Sequence, residues 1–72
     1  MSNYTLSDYE AAKKSLSSTL RKIEKAIVSL EEKQAEGKNL KAQITLSKER
    51  VKALNISLDL IEKEIISLTK IG

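Results

Sequence analysis

Apolar residues recur along most of this chain at alternating steps of three and four, and the rhythm breaks once near the middle. Before the break, Leu6, Lys13, Leu20, Ile27 and Gln34 fall at heptad position a, and Tyr9, Leu16, Ile23 and Leu30 at d. After it, Ile44, Val51, Leu58 and Ile65 occupy a, and Leu40, Ser47, Leu54, Ile61 and Leu68 occupy d. A 3.5-residue repeat held this long predicts one amphipathic helix in each half, packed through a coiled-coil seam. The break is Gln34-Ala35-Glu36-Gly37-Lys38-Asn39-Leu40. Glycine reaches φ > 0 without a Cβ penalty and so stops a helix, and asparagine is a good N-cap. The expected elements are therefore helix 1 at about 6–36, a turn at 37–39 and helix 2 at about 40–71, with Asn39 as the second N-cap.

The two stripes test one another. A short connection joins antiparallel neighbours, in which a of one helix faces d of the other. Leu30 then faces Ile44, Ile23 faces Val51, Leu20 faces Leu54, Leu16 faces Leu58, Tyr9 faces Ile65 and Leu6 faces Leu68. Every one of these pairs is centred on Gly37, so the heptads and the turn give one register independently. The competing arrangement is a single continuous helix with Gly37 inside it, which costs only about 1 kcal/mol. Flanking charges favour the hairpin near its turn, because Glu24 and Glu31 occupy e in one helix and Lys41 and Lys48 occupy e in the other. Such pairs are worth a few tenths of a kcal/mol each. At the far end Glu10 opposite Glu62 is expected to be a poor pair. For the start of helix 1, Thr5 with Asp8 and Ser7 with Glu10 are both capping boxes, and Tyr4 and Tyr9 suit a hydrophobic staple.

Two seam positions are polar. Lys13 would face Ile61 and Ser47 would face Ile27. A polar core residue can fix register, but the plainer expectation is that Lys13 snorkels to solvent and Ser47 bonds back to its own helix.

Helix 2 carries apolar residues on a second face. Ala42, Leu46, Ala53, Ile56 and Leu60 lie at c and f, opposite the seam, and Ile66 and Ile71 add to them. A helix apolar on two faces expects two neighbours. Helix 1 offers small residues on one flank, Thr5, Ala12, Thr19 and Ala26 at g. The fold class expected is all-α: an antiparallel two-helix coiled-coil hairpin pairing into a four-helix-bundle homodimer. Leu46, Ala53, Ile56 and Leu60 form the candidate oligomer or partner face; a different helical protein is the other candidate occupant. The plainer alternative is ordinary scattered surface aliphatics.

Composition narrows the function. The chain has 72 residues, formal net charge +3, and no Cys, His, Trp, Phe or Pro. One small domain fits this length. Disulfides, Cys/His metal ligation, and Cys or His catalysis are excluded. The acidic residues fall mostly on faces where coiled coils carry solvated charge, and no Gly-rich phosphate loop is present. No catalytic residue, metal or cofactor is expected, and the chain reads as a non-enzyme. No apolar run approaches the ~20 residues of a membrane helix, and helix 2 has no Trp or Phe anchors for a membrane surface. The segment Met1-Ser2-Asn3-Tyr4-Thr5 has neither the basic start nor the apolar core of a signal peptide, so a cytoplasmic location is expected.

Thirteen basic residues against ten acidic ones raise a second reading, in which Lys14, Arg21 and Lys25 on the outer face of helix 1 contact phosphates. The acids are interspersed, however, and no aromatic beyond Tyr4 and Tyr9 could stack on bases. Plasmid copy-control hairpins that bind RNA as dimers are similar in architecture and share no motif with this chain. Tyr4-Thr5-Leu6-Ser7-Asp8 resembles the Tyr-x-x-x-Asp export signal of secreted helical hairpins of Gram-positive bacteria. There the signal follows the hairpin and a Trp-x-Gly turn accompanies it; here it precedes the hairpin and that turn is absent, so capping accounts for these residues. The sequence thus supports a non-enzymatic interaction module first, a small basic nucleic-acid-associated regulator second, and an accessory subunit of a larger helical assembly third.

Overall fold

The computed structural model describes residues 3–70. Two α-helices, α1 (Leu6–Ala35) and α2 (Lys41–Thr69), pack against one another as a hairpin. The expectations for Ile71 and for the last residues of helix 2 lie outside the described segment. Lys13 of α1 pairs with Glu62 of α2, and Glu31 pairs with Lys48, so the helices run antiparallel. The single continuous helix is thereby excluded.

The turn follows from local chemistry. Gly37 has φ +105°, a conformation a side chain strains to adopt, and an added Cβ would meet nothing within 4 Å. The constraint at Gly37 is thus its backbone angle, not space. The Gly37 N–H donates to the Gln34 carbonyl at 3.0 Å and the Lys38 N–H to the Lys33 carbonyl at 3.4 Å, the two bonds of a Schellman motif. The start of α2 departs from the expected one. Leu40, not Asn39, is the N-cap, and no side chain caps the helix there. Leu40 is a half-buried seam residue whose carbonyl accepts from the Ile44 N–H at 3.0 Å. Docking of that side chain sets where α2 begins, which leaves Asn39 one position too early to cap it.

At the start of α1 the Thr5–Asp8 box forms rather than Ser7–Glu10. The Thr5 N–H donates to Asp8 Oδ2 at 3.0 Å, and the Asp8 N–H donates to Thr5 Oγ1 at 3.1 Å. Tyr4 and Tyr9 meet edge to face with ring centroids 6.1 Å apart, closing the staple across the cap.

Burial follows the heptads. Ile27 and Ile44 are buried, and every other apolar residue assigned to a or d is half-buried. The core is accordingly one stripe thick. The chain's radius of gyration is 16.3 Å, against about 11 Å for a compact domain of this length. Its accessible surface is 5844 Å², where a compact protein of 8.0 kDa exposes about 4,450 Å².

Candidate functional site

The outer face of α2 stands apart from the seam on the same helix. Leu46 is 50% exposed, Ile56 53% and Leu60 62%, with Ala53 exposed between them. These are the residues the sequence placed opposite the a/d stripe, and α1 covers none of them to the degree it covers Ile44. Ile66, 44% exposed, extends the face toward the end of α2. A shallow hollow of about 550 Å³ beside Ala42, Thr45 and Leu46 broadens it at the turn end. Large aliphatics at helical spacing on one uncovered stripe form a surface suited to a further helix.

The small-residue flank of α1 has separate local roles. Thr5 caps the helix, and the Thr19 hydroxyl donates to the Ser15 carbonyl at 3.1 Å. Ala12 is half-buried and lines a hollow of about 280 Å³ with Tyr4, Asp8, Tyr9 and Ile61 at the open end of the hairpin. The hollow lies where Lys13, rather than an apolar residue, stands opposite Ile61. Val28, 54% exposed on the outer side of α1, is isolated from the α2 stripe, which the heptad assignment alone did not flag.

Several expected polar contacts are rearranged. Glu62 pairs with Lys13, whose side chain reaches one residue past Ile61 while remaining 46% exposed. Glu31 and Lys48 pair at 3.5 Å, the one ion pair between these e-position glutamates and lysines among the described residues. Both bridges join side chains that stay about half exposed, so they help set register more than they add stability. Ser47 is half-buried, and among the described residues its hydroxyl makes no hydrogen bond, so the expected back-bond is not formed. The back-bonding residues are Thr19 and Thr69. Asp8's carboxyl is held below the usual aspartate range by the Thr5 backbone N–H and then by the Thr5 hydroxyl.

Lys14, Arg21 and Lys25 are all exposed on the outer side of α1, and none is in an ion pair among the described residues. No helix of the described segment is long and apolar enough to cross a membrane. No protein-family model matches the chain, and no curated protein and no solved structure is significantly similar to it.

Proposed function

We propose that this protein is a non-enzymatic association module: a coiled-coil hairpin, acting in the cytoplasm, that pairs with a second copy through the outer face of α2 to give a four-helix dimer. The observation that carries the reading is the exposure of Leu46, Ile56 and Leu60 on one stripe of a helix whose other stripe packs against α1. Magnitudes support it. A core this small supplies no more than about 3–5 kcal/mol. The surface in excess of a compact fold, about 1,400 Å², exceeds the roughly 800 Å² that each partner covers in a standard interface. Replacing Leu46, Ile56 and Leu60 together with Glu is expected to leave a helical chain that sediments as a monomer and melts well below the parent. An unchanged oligomeric state would instead mark these residues as ordinary surface aliphatics.

The second reading, phosphate contact through Lys14, Arg21 and Lys25, is supported by their exposure and freedom from ion pairs among the described residues. It concerns the opposite side of the molecule. Its signature is binding to mixed-sequence RNA or DNA that weakens steeply with salt and is lost in the triple Ala variant.

A further inference from the structure

The outer stripe of α2 is itself a heptad repeat, because Leu46, Glu49, Ala53, Ile56, Leu60 and Lys63 follow at alternating steps of three and four. Two of the six are charged, and the flanks carry Arg50, Lys52, Asp59 and Glu64, all exposed and outside the ion pairs among the described residues. Where a twofold-related copy places these charges depends on its direction and register.

In a parallel pair each stripe residue meets its own counterpart. Glu49 then confronts Glu49, Lys63 confronts Lys63, and Asp59 flanks Glu64. An antiparallel pair centred on Val51 sets Lys52 against Lys52 and Arg50 against Arg50. One centred on Leu58 sets Asp59 against Asp59. Only the intermediate register avoids like charges. With the axis between Leu54 and Asn55, Ala53 faces Ile56, Leu46 faces the aliphatic stem of Lys63 and Leu60 that of Glu49. Lys52 then faces Asp59 on one flank, Arg50 reaches toward Glu64 on the other, and Glu49 stands within a turn of Lys63. Each contact occurs twice. This axis also passes through the middle of Lys41–Thr69, so the two helices overlap along their whole length.

We propose that the second copy lies antiparallel on α2, with its twofold axis between Leu54 and Asn55, and that the Lys52–Asp59 pairs select this orientation. The proposal rests on the self-association reading above. It also specifies the assembly. At 100° per residue the a/d and c/f stripes of α2 lie about 160° apart. The dimer is then a flat layer with both α2 helices inside and both α1 helices outside, which leaves Lys14, Arg21 and Lys25 uncovered.

The test is a charge swap read by sedimentation equilibrium at low ionic strength, with helicity followed by circular dichroism. Lys52→Glu and Asp59→Lys should each weaken the dimer roughly tenfold, since each substitution places like charges at two symmetric sites. The double variant should return to within about threefold of the parent, because opposite charges again face one another. A double variant no tighter than either single one would overturn the orientation while leaving self-association intact. A parent chain that is monomeric at micromolar concentration would overturn the underlying reading, and this proposal with it.

Discussion

Thr5 and Asp8 satisfy each other's backbone N–H at the start of α1, and that reciprocity makes the end of the helix sensitive to acid. The carboxylate form accepts the bond, so Asp8 titrates below its ordinary value. A lowered folded pKa contributes stability that is complete above the unfolded value and is lost as pH falls through the folded one. Amide exchange at Thr5, whose N–H donates to the Asp8 carboxylate, should therefore quicken on acidification below about pH 4 and lose that dependence in Asp8→Asn. Exchange independent of pH in this range, once intrinsic rates are divided out, would contradict the cap. Thr5→Ala should lower stability by about 1 kcal/mol in a denaturant melt. This cap was legible because it is local: three residues and one turn decide it. Asn39 does not cap α2 for the converse reason. Its neighbour Leu40 answers to packing across the seam, which outweighs a cap worth about 1 kcal/mol.

Between the helices, geometry is fixed by Gly37 and by the a/d stripes. Gly37→Ala should cost about 2 kcal/mol, all of it backbone strain, since the added methyl has open space. If the strain instead opens the turn, the variant should gain a domain-swapped dimer of continuous helices, visible as a more elongated species. Ile27→Ala, at one of the two buried positions among the described residues, should cost about 2–4 kcal/mol in the same melt, whereas Val28→Ala beside it should be nearly neutral. Cysteine pairs at Leu16 with Leu58 or Leu20 with Leu54 should close within one chain under mild oxidation, in a protein with no other cysteine. Products crosslinked only between chains would contradict the hairpin register. The seam was readable from period alone because burial in a hairpin depends on which stripe faces inward. The Lys13–Glu62 bridge was not, because a lysine's reach carries its charge past the residue its Cα faces.

The molecule as a whole is long and thin and exposes more surface than a compact fold of its mass. A chain 57 Å long and 18 by 17 Å across keeps most of its seam half-exposed, so neither face of α2 reaches the burial of a normal core. The outer stripe was visible in the sequence as a second set of heptad positions; its occupant was not, since one chain's pattern states that a face is apolar and leaves open what covers it. Self-association makes stability depend on concentration, so the thermal midpoint should rise with each tenfold increase in protein. A midpoint independent of concentration would count against it. Sedimentation equilibrium of the unmodified chain at micromolar concentration decides whether α2 pairs with a second copy. A self-associating hairpin gives a mass twice that of the 8.0 kDa chain, falling toward 8.0 kDa on dilution. A folded species of 8.0 kDa throughout the micromolar range would contradict it.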